Sequence, residues 1–417
     1  MDPTNNYSPR RLFLKGAGSL SLVSAFPRLA QAEDVFGQDQ GYPTGWGPTG
    51  QRQQWEGYTQ YHVGNFSGGL EKMFPSQRIK HSQAASPLKG PNKNQHQTLS
   101  RAASDLAKRF NASSILIARD QTIFHEDYRF DRKPQMRFFG WSMTKSVVSL
   151  LFGIALDKKL INAIDDPVVH YVKELKGHAL ADTALRNLLN MSSGADICQE
   201  MCSPKNSFER YEYSQIGYSP HRAEHTDMKA GLLDFHWGRN VPQGSAFNYT
   251  EICPQLIAWV LESVFNQPLY KIAEHYLWQP MGAEQDAVWL TDSNGFAIES
   301  AGFSATLRDW ARLGMLIANH GVAQGQQIIS KSWIDECCKH GPKDQQVKFN
   351  NVARGRGYRN FFWHVVPDGS VIRMAGAKGQ FVVIDRKSKT VLVRTGVSDE
   401  RGADEEMMAL FYQACKD

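Results

Sequence analysis

The sequence predicts an α+β fold: an antiparallel sheet flanked by helices, with an inserted mostly α-helical region. Three patterns predict it. A strand–turn–strand pattern covers residues 113–128, strands and turns alternate again from Phe361 to Thr395, and helical periodicity fills most of the chain between. Strands at both ends with helices between suit one sheet assembled from both ends of the chain. With 417 residues the chain can bury a large core in one or two domains. We divide it into residues 1–32, an extension 33–98, and a domain 99–417. Within that domain an α/β part covers about 99–160 and 300–417, and a helical part about 161–299.

Taken in order, residues 1–32 carry Arg10-Arg11 ahead of a weakly apolar stretch, Gly16 to Phe26, and then Ala30-Gln31-Ala32, small residues at a cleavage spacing. The segment resembles a bacterial twin-arginine export signal. It implies export of the folded protein, cleavage near Ala32, and a periplasmic or secreted location. Residues 33–98 are rich in Gly, Pro, Gln and Asn with scattered aromatics, which predicts a segment draped over the domain surface. Leu99 to Phe110 reads as a helix, Ser113 to Ala118 as a buried strand, and Thr122 to Tyr128 as its hairpin partner.

Ser142-Met143-Thr144-Lys145 opens the stretch around which the rest is organised. The run that follows, to Leu156, is apolar on nearly every side, as in a buried helix. Ser142 falls at the first turn, near the positive end of the helix dipole, and Lys145 lies one turn on along the same face. Burial beside an apolar helix lowers a lysine's pKa, so this spacing predicts a nucleophile and its base in one cassette. A second match, Ser86-Pro87-Leu88-Lys89, lies in a Pro- and Gly-rich stretch with no helix to organise it, and we discount it.

Beyond Lys145, Asp182 to Leu189 reads as a capped helix ended by Ser193-Gly194, and residues 195–245 as an irregular insertion over the site. Tyr249 leads into a helix from Pro254 to Val264. Thr306 is a predicted N-cap of a helix running to Asn319, with Asp309 near the capping-box position. Strands follow at Phe361 to Val366, Ser370 to Ala375, Gln380 to Asp385 and Thr390 to Thr395, and Glu405 to Lys416 closes the chain as an amphipathic helix.

Charge and cysteine usage narrow the function classes. The net charge is +5, and residues 1–32 hold four basic residues against Asp2, so the rest is near balance and gives no case for nucleic acid. No apolar run is long enough for a spanning helix, so no stable membrane anchor is expected. Six cysteines do not make a disulfide scaffold, although Cys198 and Cys202 are close enough to pair and Cys337 and Cys338 are adjacent. His221 and His225, the only local candidates to join Cys198 and Cys202, complete no standard ligand spacing, so no metal is expected. A metal-dependent hydrolase using His221, His225 and His236 is an outsider, and no organic cofactor is expected.

Several ordered segments together resemble the serine β-lactamase and penicillin-binding-protein fold over roughly residues 110–415. They are Ser142 to Lys145, Leu185 to Gly194, Leu277-Trp278-Gln279-Pro280-Met281-Gly282, Ala305 to Gly314, and Gly376-Ala377-Lys378-Gly379-Gln380. They look like the branch that holds esterases, class C β-lactamase relatives and 6-aminohexanoate-dimer hydrolases. The resemblance implies a catalytic tyrosine across from the serine. Tyr249 matches it in Phe247-Asn248-Tyr249-Thr250-Glu251, with Glu251 where many relatives carry Asn. Tyr211, Tyr213 and Tyr218 compete for that role. The family's Lys-Thr-Gly is replaced by Ala375-Gly376-Ala377-Lys378-Gly379, and Arg394-Thr395-Gly396 ranks second for that place.

What this implies is a serine hydrolase cleaving an amide or ester of a small molecule. Lys145, neutral, takes the proton of Ser142; the N–H groups of Ser142 and Ala377 hold the oxyanion; Tyr249 protonates the leaving group. Trp141, Tyr213, Glu251, Gly376, Lys378 and Gln380 are the candidates for lining the substrate cleft. A D-alanyl peptidase or β-lactamase is the alternative within the enzymes, and a non-catalytic ligand-binding member of the fold the alternative outside them.

Overall fold

The computed structural model describes residues 63–90, 96–196, 227–234, 238–340, 348–349, 352–353, 357–397 and 402–417. In chain order the elements that position the site are β1 (Ser76–Ile79), α1 (Gln97–Arg109), β2 (Ala112–Arg119), β3 (Thr122–Tyr128), β4 (Arg137–Phe139), α2 (Met143–Asp157), α3 (Leu185–Leu189), α4 (Ile252–Phe265), β5 (Ala287–Leu290), β6 (Phe303–Thr306), α5 (Leu307–Ala318), α6 (Lys331–Cys338), β7 (Gly357–Arg359), β8 (Phe362–His364), β9 (Val371–Gly376), β10 (Gln380–Asp385), β11 (Thr390–Gly396) and α7 (Ala403–Lys416).

A seven-stranded antiparallel sheet runs in the order β7-β8-β9-β10-β11-β2-β3, so strands from the two ends of the domain meet where β11 pairs with β2. Alternation along each strand divides the core between the two faces. Ile115, Ile117, Val383 and Leu392 turn towards α1 and α7, packing with Leu99, Leu106, Met407 and Phe411. Leu116, Ala118, Val382, Ile384, Val391 and Val393 belong to the larger core, which holds α2, α4 and α5.

Helix α2 is buried from Met143 to Ala155, as its all-round apolar sequence requires. Each fully buried Leu or Phe in it contributes roughly 1.5–3 kcal/mol through burial. Thr306 caps α5 as its sequence predicts, accepting from Asp309 N, and Asp309 runs on into a buried pair with Arg312 (2.7 Å).

The structure corrects several expectations. From Val63 on, the extension is not draped over the surface: Val63, Phe66, Leu70 and Ile79 enter the main core, and β1 is a strand. That strand belongs to a second antiparallel sheet, β1-β5-β6-β4, which the sequence did not suggest because its strands are only three or four residues long. Asp182 caps no helix. Asp182 and Thr183 accept hydrogen bonds from Arg239 instead, and α3 begins only at Leu185 with no side-chain cap. The second Ser-x-x-Lys copy forms no helix: Ser86 and Lys89 make backbone contacts to Gly282, Gln121 and Ile123. Cys337 and Cys338 are both free thiols, buried at the end of α6. Burial raises both, Cys338 to about 11. Cys198, Cys202, His221, His225 and His236 lie outside the described residues.

Candidate active site

The site is assembled at the junction of the two sheets. Strand β4 pairs with β6, and just past it Gly140 N donates to Phe303 O (2.8 Å). Trp141 then takes a left-handed conformation, φ +47°, which turns the chain into α2 with Ser142 at the N-cap position. A non-glycine residue held there costs about 1–2 kcal/mol. Neighbours hold it in place: Trp141 O accepts from Thr144 N (2.9 Å) and Thr144 Oγ1 (2.7 Å), and its indole packs edge-on against Phe66 and Phe139.

Lys145 lies one turn along α2, 1% exposed. Its Nζ donates to Ser142 Oγ (3.0 Å) and to Ser300 O (2.9 Å), and forms an ion pair with Glu251 Oε2 (2.5 Å). Charge more than hydrogen-bond direction holds that pair. The sequence-based expectation of a lowered lysine pKa is therefore corrected. Burial does pull it down, but the charges of Glu251 and Tyr249 outweigh burial and hold the ammonium above the ordinary lysine value.

Tyr249 is buried, its ring 4.9 Å from Lys145 Nζ, and its hydroxyl hydrogen-bonds with Ser142 and Lys145. Burial raises its pKa, and the nearby ammonium offsets this only in part. Trp363 stacks on the Tyr249 ring (5.8 Å, 24°), while Tyr358 meets it edge-on and Phe247 at a tilt. The phenol is thus fixed by an aromatic wall drawn from β7, β8 and the approach to α4.

On the opposite side, the end of β9 comes up against the start of α2. A Cβ on Gly376 would lie 3.1 Å from Ser142 N, so only glycine allows the strand this near. Ala377, the next residue, is exposed, and Lys378 follows at φ +61°.

Gln380 and Arg394-Thr395-Gly396 do not line a cleft. The buried Gln380 amide bonds both ways with Gly396 (2.7 and 3.1 Å), and Arg394 donates to Gly379 O and Phe110 O. Gln380 Nε2 also donates to Ala377 O and Lys378 O (3.3 Å each), so the two side chains together engage the three carbonyls of the turn Ala377–Gly379. Glu251, expected to touch substrate, faces Lys145. Tyr211, Tyr213 and Tyr218 lie outside the described residues.

Two groups here were not anticipated. Ser300 brings its carbonyl to Lys145, and Glu299 is fully buried with neither carboxylate oxygen hydrogen-bonded. Burial, with Glu251 adding repulsion, pushes the Glu299 pKa well above the carboxylate range. The one signal in the sequence is a glutamate inside the apolar context Ala297-Ile298-Glu299-Ser300-Ala301. Among the described residues no group of three or more His, Cys, Asp or Glu could hold a metal, and no helix is long and apolar enough to cross a membrane.

The Beta-lactamase family model matches residues 99–411. The chain belongs to that family. It is a serine hydrolase of the β-lactamase fold. It is similar to the 6-aminohexanoate-dimer hydrolase of Paenarthrobacter ureafaciens, with 23% identity over 283 residues, 67% of this chain and 71% of that one. Among solved structures it resembles a Bacillus anthracis protein assigned to the 6-aminohexanoate-dimer hydrolases. The TM-score is 0.74 at 18% identity, covering 88% of this chain and 96% of the other. A family VIII carboxylesterase matches with TM-score 0.59 at 16% identity, covering 77% and 98%.

Proposed function

We propose that this chain hydrolyses an amide or ester of a small molecule through an acyl-enzyme on Ser142, with 6-aminohexanoate oligomers and short esters as the substrate classes to try first. The observation that carries the reading is the Lys145 Nζ–Ser142 Oγ hydrogen bond of 3.0 Å, with the Tyr249 hydroxyl bonded to both groups. Lys145, once it has given up its own proton, takes that of Ser142 as Oγ bonds to the carbonyl carbon. The oxyanion then rests on the N–H groups of Ser142 and Ala377, a pairing supported by the close approach of Gly376 to Ser142 N. Tyr249 passes a proton to the departing amine or alcohol as the C–N or C–O bond breaks, and water reverses these steps to release the acid. Trp141 and Lys378 flank this position and remain the candidates for substrate contact. Residues 1–32 support export through the twin-arginine pathway to the periplasm or beyond, testable by signal-dependent fractionation.

The test is intact mass after a fluorophosphonate probe. One adduct on wild type, absent in Ser142→Ala and slowed in Lys145→Ala, is the expected result. A folded wild type that takes no adduct would overturn it.

A further inference from the structure

The Lys145–Glu251 pair has a role that neither residue alone suggests. We propose that Glu251 is a positioning residue that keeps Lys145 in its ammonium form in the free enzyme, so that the base becomes available only after this pair gives up a proton. The inference rests on the reading of Ser142 and Lys145 given above.

Lys145 Nζ donates to Ser142 Oγ (3.0 Å) and Ser300 O (2.9 Å), meets the Tyr249 hydroxyl, and lies 2.5 Å from Glu251 Oε2 in an ion pair. Two accepting oxygens and a carboxylate in salt-bridge contact suit an ammonium, whose three N–H groups are all donors. A neutral amine has two and a lone pair, and it needs that lone pair aimed at Ser142 Oγ to act as a base. Of these groups Glu251 alone is a carboxylate. Its side chain is 17% exposed, so the pair lies at the wall of the site and not sealed within it.

The other titratable groups facing the pair come from each surrounding element. Tyr249 lies on the approach to α4 and Tyr358 on β7; burial raises both. Cys253 on α4 is raised by burial to about 11. Glu299, in the loop before β6, is raised well above the ordinary carboxylate value by burial. Asp292, further back in that loop, accepts from Met228 N, Asn294 N and Phe296 N and is engaged there. None of them replaces Glu251 beside the ammonium. An amide at position 251 fills nearly the same space without the charge, leaving burial to act on Lys145 unopposed.

The experiment is the pH profile of kcat/KM for a p-nitrophenyl ester, with fluorophosphonate labelling of Ser142 in the same buffers, for wild type, Glu251→Gln and Glu251→Asp. Wild type is expected to lose activity on the acid side along a limb lying above neutrality. Glu251→Gln is expected to move that limb down by about one pH unit or more, a tenfold gain in relative rate below it, while Glu251→Asp stays near wild type. Should the Gln variant lose its circular-dichroism signature, Glu251→Asn takes its place.

A wild-type profile flat across that range overturns the inference whatever the variants do, as does a limb that Gln leaves unmoved or that Asp moves equally far. The two readings fail differently. No Ser142-dependent adduct sinks the hydrolase reading, whereas an adduct with an unmoved limb sinks only the role of Glu251.

Discussion

Phe66 packs edge-on against Trp141, ring centroids 5.4 Å apart, and so ties the segment ahead of the catalytic domain to the residue that precedes Ser142. Phe66 is 3% exposed and also stacks near Phe139. Phe66→Ala is expected to cost about 3–5 kcal/mol in urea unfolding. Fluorophosphonate labelling of the folded fraction should also slow, because Trp141 loses part of what holds its left-handed turn.

Gly376 permits no side chain. A Cβ there would lie 2.3 Å from Gly140 O and 2.9 Å from Trp141 Cβ, and backbone cannot swing aside as a flexible side chain can. Gly376→Ala is expected to push β9 away from Ser142 N and to lower kcat by about a hundredfold, the scale of one lost oxyanion donor. Steady-state kinetics on a short ester, with a melting curve to show that the fold survives, checks this.

Glu299 gives a stability prediction with a definite sign. Its folded pKa is raised by burial, so as pH climbs past the ordinary glutamate range the unfolded chain releases a proton that the folded chain keeps. Stability therefore falls with rising pH until the folded group itself ionises. Glu299→Gln, nearly isosteric with the protonated acid, is expected to raise Tm at about pH 8 and to change it little at about pH 4, where both states hold the proton. Paired melting curves at the two pH values decide it.

Asp309 is fully buried and accepts from Glu284 N, Gln285 N, Thr306 Oγ1 and Arg312. Asp309→Ala is expected to cost about 3–5 kcal/mol, since Arg312 would be left buried without this partner. Thr306→Ala, the loss of an N-cap, should cost about 1 kcal/mol. The two residues share two hydrogen bonds, and the one from Thr306 Oγ1 to the Asp309 carboxylate is lost in either variant, so the double variant should fall short of the sum in denaturant unfolding.

How much of this was legible in the sequence depends on the distance over which each fact is decided. Ser142 and Lys145 share one helical turn, and the apolar run behind them is local, so spacing alone places them together. Gln380 to Asp385 could be read to the residue because its short apolar run between two turns is local too. The charge on Lys145 was misjudged because it depends on Glu251, more than a hundred residues away in sequence and brought near only by the packing of α2 against α4. Ser300 acts through its carbonyl, which no residue type encodes. The core role of Val63, Phe66 and Leu70 was hidden by the Gly- and Gln-rich composition around them, where a few apolar side chains decide burial and the average does not.

The junction of β11 with β2 also bears on synthesis. Strands β2 and β3 emerge early, yet the long edge of β2 finds its partner only when Thr390–Gly396 has been made. Until then a strand as apolar as Ser-Ile-Leu-Ile-Ala presents open N–H and C=O groups to any other nascent chain. A ribosome-bound fragment ending before Thr390 therefore cannot close its central sheet, and a truncated gene product should aggregate, not persist as a smaller folded unit.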